Sequence, residues 1–190
     1  MRVLVVDDHT TVRRGVRELL LDAYVDAVVD EAGTAAAALE RVRAADYDLV
    51  TLDISMPDAH GLELLERMLR ARPGLRVLML SMHAASQFAA RCLRAGASGY
   101  LTKDHAEEEL LGAIARVMSG RRYVSPLVID EVVAGILDDA PGLPHERLSP
   151  REFRVLCMIG AGRPLTEIAR VLAISPKTVT TYRARVLEKM

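Results

Sequence analysis

Five short apolar runs punctuate the first 120 residues, and a helical pattern follows each of them. The runs at 3–6, 27–30, 49–52, 77–80 and 99–101 are too short to be buried helices, and turn-type residues bound them, so they read as strands. Between and after them, residues 11–21, 35–44, 62–71, 87–95 and 107–119 place apolar side chains at helical spacing. Thr10 or Thr11, Thr34 and Ser86 stand where helix N-caps belong, since a hydroxyl there accepts an orphan amide proton. This alternation predicts an α/β unit whose parallel sheet is covered by helices on both faces. A sheet buried on both sides also explains why the strands are continuous runs such as Val3–Val6 rather than apolar–polar alternations.

In a doubly wound sheet, functional groups gather beyond the carboxyl ends of the strands, at the point where the strand order reverses. Asp7 and Asp8 follow the first run, Asp53 ends the third, Ser81 ends the fourth and Lys103 follows the fifth. In the flavodoxin-like order 2-1-3-4-5, runs one and three are neighbours and their three carboxylates converge. Like charges at such separation repel, and a hard divalent cation with oxygen ligands is the usual remedy. Mg²⁺ fits, because it binds one or two carboxylates, several waters and a phosphate. The set is chemically complete for phosphoryl transfer to a carboxylate. Asp53 is the in-line nucleophile, Asp8 holds Mg²⁺ with Asp7 assisting through water, and Lys103 and Ser81 receive the phosphoryl oxygens.

Other chemistries at these positions fit less well. A nucleotide-binding loop needs glycines after the first strand, where this chain has Asp7, Asp8, His9, Thr10 and Thr11. A phosphatase of the haloacid-dehalogenase type needs a second Asp two residues after the nucleophile, and that position is Ser55. His9, His60, His83, His105 and His145 show no metal-ligand spacing. Cys92 and Cys157 stand far apart in apolar contexts and read as buried, reduced thiols of a cytoplasmic protein. No run approaches the ~20 apolar residues needed to span a bilayer, so no membrane is expected.

The segments VVDDH, TLDISMPDAHGLELL, MLSMH and GASGYLTKD resemble those of a bacterial response-regulator receiver domain, more narrowly of the NarL/FixJ subfamily, over residues 1–122. The resemblance implies that a sensor histidine kinase phosphorylates Asp53. It implies that Asp7, Asp8, Asp53 and the backbone carbonyl of Ser55 hold Mg²⁺. It makes Ser81 and Tyr100 switch residues and Lys103 the phosphate partner. Many receivers have Pro where Asp104 stands, but Lys-Asp is usual in this subfamily.

After residue 122 the pattern changes. Pro126, Pro141 and Pro144 with Gly135 and Gly142 break up a linker, 123–147, that holds one amphipathic stretch at 127–137. Residues 148–190 are helical in pattern. Ser149-Pro150-Arg151-Glu152 is a capping box, with Phe153, Leu156, Cys157 and Gly160 at helical spacing behind it. A short helix at 165–172 and a third, capped by Ser175 and starting at Pro176, have the layout of a helix-turn-helix. The net charge of −1 argues against a nucleic-acid binder only until it is divided along the chain. Residues 1–125 carry 16 basic and 18 acidic side chains, residues 126–148 one and five, and residues 149–190 eight and three. The last module is basic. On its final helix Val179, Val186 and Met190 share one side, with Tyr182 at one flank and Leu187 further out at the other. Lys177, Thr180, Thr181, Ala184 and Arg185 share the opposite face. Short and basic side chains on one face suit a major-groove helix.

LSPREFRVL and LTEIARVLAISPKTVTTYRARVLEKM resemble the LuxR-type helix-turn-helix, with Ala169 where the helices cross, Val179 ten positions later and Ala173 in the turn. Carried over by position, Thr180, Thr181 and Ala184 face base edges, and Lys177, Thr178, Tyr182, Arg183 and Arg185 serve phosphates. The family pattern continues with a fourth, dimerising helix beyond the position of Met190, so weak DNA binding is expected of this chain. The two resemblances together imply a two-component regulator that binds promoter DNA, with a homodimer formed on phosphorylation, and no enzyme acting on a separate substrate. The alternative is a signalling interaction protein with an active receiver and an incomplete DNA-binding domain.

Overall fold

A computed structural model describes residues 1–82, 86–103, 106–129, 148, 150–160, 162–172 and 174–189. Two compact units, Met1–Leu137 and Asp138–Met190, make up the chain. The first begins β1 (Arg2–Val6), α1 (Thr10–Ala23), β2 (Val28–Ala32), α2 (Ala35–Ala44), β3 (Leu49–Asp53) and α3 (Gly61–Ala71). It continues β4 (Val77–Ser81), α4 (Ser86–Arg94), β5 (Gly99–Thr102), α5 (Ala106–Met118) and β6 (Tyr123–Val124), then a 3₁₀ turn at Pro126–Val128.

The sheet has the order β2-β1-β3-β4-β5-β6, and every neighbouring pair is parallel. The expected five-strand order is therefore present, with one strand more. β6 pairs Tyr123 with Gly99 and Val124 with Tyr100, inside the segment read from sequence as linker. Two residues carry no periodicity, so pattern could not reveal this strand. The local cause is Gly99, where a Cβ would lie 2.9 Å from the Tyr123 carbonyl oxygen. Only a residue without a side chain lets β6 approach there.

Successive strand residues bury on opposite faces. Leu4, Val6, Val50, Leu52, Val77, Met79 and Tyr100 pack against Leu39, Leu65, Cys92 and Leu93 of α2, α3 and α4. Val3, Val5, Leu49, Leu78, Leu80 and Leu101 pack against Val16, Leu20, Leu110 and Ile114 of α1 and α5. Each such aliphatic side chain contributes roughly 1.5–3 kcal/mol on burial. β3, β4, β5 and all of β1 but Arg2 are buried on both faces, which is why the apolar runs do not alternate.

The caps follow the expectation in part. Thr34 accepts the Ala37 amide, while Asp58 reaches over from the β3–α3 loop to accept the Ala35 amide at 2.7 Å. α1, by contrast, is preceded by His9 rather than capped by Thr10 or Thr11, and His9 makes no side-chain cap bond. α4 starts at Ser86 itself.

The second unit holds α6 (Pro150–Gly160), α7 (Leu165–Val171) and α8 (Pro176–Lys189). Val155, Ile168, Ala169 and Val179 form its core, with Tyr182 packed against them. Among the described side chains of α6, Phe153 and Val155 are the buried apolar ones, and Cys157 is exposed, unlike buried Cys92. The expected pair of buried thiols is corrected to one. Val155 is the α6 residue of the core shared with Ile168, Ala169 and Val179, and Cys157, two positions on, lies about 200° around the helix from it. The cap at Ser149, the turn residue Ala173, Asp104, the stretch at 130–147 and Met190 lie outside the described residues. Among those described, no helix is long and apolar enough to cross a membrane.

Candidate functional site

The strand order reverses at β1, and the ends of β1 and β3 lie side by side there. Asp53 ends β3 and Asp7 follows β1, each with 1% of its surface exposed. Lys103, following β5, brings its Nζ to 2.5 Å from Asp7 Oδ2 and 3.1 Å from Asp53 Oδ2. One ammonium thus bridges two buried carboxylates. The Ser55 amide donates to Asp53 Oδ1 at 3.2 Å, and the His9 amide donates to Asp7 Oδ1 at 2.8 Å. Burial is the largest influence on Asp53 and pushes its carboxyl up. Lys103 pulls it down and Asp7 pushes it up again, leaving it above the usual carboxylate range.

The loop after β3 is fixed by backbone contacts. The Ile54 amide donates to the Leu80 carbonyl at 3.0 Å, and the Gly61 amide to the Ile54 carbonyl at 3.1 Å. A Cβ at Gly61 would lie 2.6 Å from Ile54 Cα and 3.0 Å from the Asp53 carbonyl oxygen. The first turn of α3 therefore rests directly on the residue that carries the carboxylate.

Asp7, Asp8, His9 and Asp53 each offer a ligand atom within 4.8 Å of the others. Asp8 Oδ1 and Asp53 Oδ2 are buried without an aligned hydrogen bond, although His9 Nδ1 and Lys103 Nζ stand 2.9 and 3.1 Å away. Buried carboxylate oxygens without an aligned donor among the described residues, clustered with a third carboxylate, are a ligand set that fits a hard divalent cation. Ser81 ends β4, and the Tyr100 hydroxyl shares a hydrogen bond with it. Tyr100 is fully buried, and burial pushes its phenol up to about 12.

In the second unit, Ser175 caps α8 by accepting the Thr178 amide at 3.1 Å. Lys177, Thr180, Thr181, Arg183, Ala184 and Arg185 are exposed, whereas Val179 and Val186 face the core. Ser175, Lys177, Thr178, Thr181, Tyr182 and Arg185 line a shallow concavity of about 320 Å³. Thr180 and Thr181 donate their hydroxyls to the carbonyls of Pro176 and Lys177, so both are satisfied within the helix. Lys189 Nζ donates at 2.6 Å to Glu152, a buried carboxylate of α6, and ties the end of α8 to the first turn of α6.

Residues 3–115 match the response regulator receiver domain, and residues 146–190 match the bacterial regulatory proteins of the luxR family. The chain is a two-component response regulator with a LuxR-type DNA-binding output domain. The regulator is similar over its whole length to the response regulator GacA of Pseudomonas protegens, at 37% identity over 89% of that protein. It is similar also to the response regulator UvrY of Escherichia coli (strain K12), at 36% identity over 88% of that protein. RcsB from Salmonella enterica serovar Typhimurium, solved bound to promoter P1flhDC in the presence of phosphomimetic BeF3-, superposes with a TM-score of 0.69 at 26% identity. That comparison covers all of this chain and 91% of RcsB.

Asp7, Asp8, Asp53 and Lys103, expected from sequence, come together in the regulator, and Ser81 and Tyr100 pair with each other. Ser55 enters through its amide. Thr178 and Tyr182 are half-buried, the first engaged in the α8 cap and the second against the core. Three residues escaped the sequence reading. His9 joins the cluster through the acids rather than through another histidine, and its place directly after Asp7-Asp8 was the available signal. Arg13 donates to the Asp7 carbonyl oxygen at 2.7 Å, and Asp58 caps α2 from the loop after Asp53. Both act across elements, where sequence spacing says nothing.

Proposed function

We infer that Asp53 is the phosphoacceptor of this regulator and that a sensor histidine kinase supplies the phosphoryl group. The observation that carries the reading is the buried Asp53 carboxylate, 3.1 Å from Lys103 and within reach of two further acids at the strand-order reversal. Asp53 Oδ2, 3.1 Å from the Lys103 ammonium, attacks phosphorus. The bond from phosphorus to the donor's leaving atom breaks, and the leaving group keeps the electron pair. Lys103 and Ser81 meet the phosphoryl oxygens. Asp7, Asp8, Asp53 and the Ser55 carbonyl hold Mg²⁺, which when bound neutralises developing phosphoryl charge. Loss of the Ser81 hydroxyl to the phosphoryl group removes the partner of Tyr100, and these two act as the switch.

The domain plan is a receiver at 1–122, a linker at 123–147 and a DNA-binding module at 148–190. Thr180, Thr181 and Ala184 face base edges in the major groove of promoter DNA. Lys177, Thr178, Tyr182, Arg183 and Arg185 meet phosphates. The exposure of Lys177, Thr180, Thr181, Ala184 and Arg185 on the face of α8 opposite Val179 and Val186 supports this assignment. Phosphorylation favours a homodimer. The protein works in the cytoplasm and consumes its own Asp53 as the acceptor rather than turning over a separate substrate.

The test is incubation with acetyl phosphate and Mg²⁺, followed by peptide mass spectrometry and DNA retention at low salt. One phosphoryl mass on the peptide containing Asp53, lost in Asp53→Ala and in the absence of Mg²⁺, is expected. Label elsewhere, or label that survives Asp53→Ala, refutes the assignment. For about eight phosphate contacts per dimer, log K falls with log[salt] at a slope of roughly −7.

A further inference from the structure

Every polar atom of Asp7 is engaged, and two of its partners, the Ala32 carbonyl and the Arg13 guanidinium, lie outside the acidic cluster and the local backbone. Its amide donates to the Ala32 carbonyl at 3.2 Å, its Oδ1 accepts from the His9 amide and its Oδ2 meets Lys103. Its carbonyl oxygen accepts from the Arg13 guanidinium at 2.7 Å. Arg13 is itself held tightly. Its Nε donates to Glu31 of β2 at 3.3 Å, its other terminal nitrogen donates to Thr10, and its side chain is 15% exposed. The guanidinium lies against Gly33, where a Cβ would stand 3.2 Å from the same nitrogen that reaches Asp7.

We propose that Arg13 is a positioning residue for the metal-binding acids, acting through the Asp7 backbone, with Glu31 and Gly33 fixing its place. The inference rests on the reading of the acidic cluster as a divalent cation site. Three elements meet at this one side chain: the end of β1, the first turn of α1 and the end of β2. A planar guanidinium reaches the Asp7 carbonyl, Glu31 and Thr10 from separate nitrogens, which a single ammonium cannot do. The Asp7 and Asp8 carboxylates follow directly on the peptide plane that Arg13 fixes. Their separation from Asp53 therefore depends on it.

Electrostatics and positioning predict opposite signs. Arg13 is a cation close to the acids, so deleting its charge should by Coulomb's law tighten binding of another cation. Loss of a positioning contact should weaken it, by about ten-fold for a residue supporting the ligands. Mg²⁺ alone is titrated by calorimetry into the unphosphorylated full chain, the variants Arg13→Gln, Arg13→Lys and Gly33→Ala, and Asp8→Asn as a control. The expected result is a Kd for Mg²⁺ about ten-fold weaker in Arg13→Gln, with no rescue by Arg13→Lys. Gly33→Ala changes no charge and crowds the guanidinium by a few tenths of an ångström, so a smaller weakening in the same direction is expected. It also serves if Arg13→Gln fails to fold, which thermal melts report. Mg²⁺ binding by Arg13→Gln as tight as or tighter than the parent's, or full rescue by Arg13→Lys, overturns the proposal and leaves the metal site standing. A parent chain that binds no Mg²⁺, or binds it as well with Asp8→Asn, overturns the metal reading and this inference with it.

Discussion

Replacing Gly61 with Ala tests whether the start of α3 sets the position of the phosphoacceptor. The added Cβ would meet Ile54 Cα at 2.6 Å and the carbonyl oxygens of Asp53 and Ile54 at 3.0 Å. Carbon atoms rest at about 3.5–4.0 Å, so either the helix start or the loop must move by roughly 1 Å. All three contacts are backbone atoms, which cannot swing aside as the end of a side chain can. Overpacking of this kind costs about 1–3 kcal/mol, and the gain in helix propensity over Gly offsets up to about 1 kcal/mol of it. The expected net loss is about 1–2 kcal/mol, a fall of about 3–8 °C in melting temperature. A displacement near 1 Å at a reacting group lowers rates by about 100-fold, so phosphorylation of Asp53 by acetyl phosphate should fall much further than stability does. Gly112→Ala is the control. It lies in α5, a Cβ there meets nothing within 4 Å, and the change should raise stability by about 0.5–1 kcal/mol with phosphorylation unaltered. Circular dichroism melts and a phosphate-affinity gel time course supply both readouts. A Gly61→Ala protein that melts and reacts like the parent would show that the loop is not braced by α3, and the reasoning fails.

Asp53→Asn should raise the melting temperature at neutral pH by about a few degrees. Because burial and Asp7 raise the Asp53 carboxyl in the fold, its contribution to stability is full below the usual carboxylate range and is lost as pH rises through the raised value. The gain from Asn should therefore shrink toward zero in acid, and a gain independent of pH speaks against the assignment. Thr51 and Thr102 bury hydroxyls that have no hydrogen-bond partner among the described residues. Thr51→Val and Thr102→Val should each stabilise by about 1 kcal/mol in urea titrations, and a loss of stability would mean the hydroxyls are satisfied. Lys189→Met removes the 2.6 Å bond to buried Glu152 and should destabilise the second unit by about 1–2 kcal/mol. Hydrogen exchange of α6 and α8 amides measures this, and unchanged protection would assign the pair no role.

Much of the receiver was legible because its signals are local. A strand buried on both faces must be a short apolar run, and an acid directly after such a run must lie at the carboxyl edge of the sheet. Asp7, Asp53 and Lys103 could be placed together on those two facts and a strand order. β6 could not, since Tyr123-Val124 is too short for pattern and owes its place to the missing side chain of Gly99. Helix phase was the other weak point. On α6 the apolar residues run almost all the way round, so helical spacing alone does not separate buried Phe153 and Val155 from exposed Cys157. Arg13 shows a third kind of failure. Its partners Asp7 and Glu31 lie 6 and 18 positions away, and only the folded sheet brings them to one guanidinium.

In the proposed mechanism the charges of the acidic cluster would link metal and phosphoryl group more firmly than either contact would alone. Among the described residues Asp7, Asp8 and Asp53 face a single ammonium, Lys103, while Arg13 is paired with Glu31, so with every acid ionised and His9 neutral two negative charges are left uncompensated at a largely buried site. Balance is reached with one divalent cation. Phosphorylation exchanges a carboxylate for a group of about −1.5 to −2 at neutral pH. Without the cation that excess grows toward three negative charges, and with it toward one, which Ser81 and nearby amides can hydrogen-bond. Burial first, and Asp7 beside it, already hold Asp53 above the usual carboxylate range against the pull of Lys103. Metal affinity and phosphoryl acceptance should thus fall together in variants that disturb the acids, and any variant that uncouples them must act on Lys103 or Ser81.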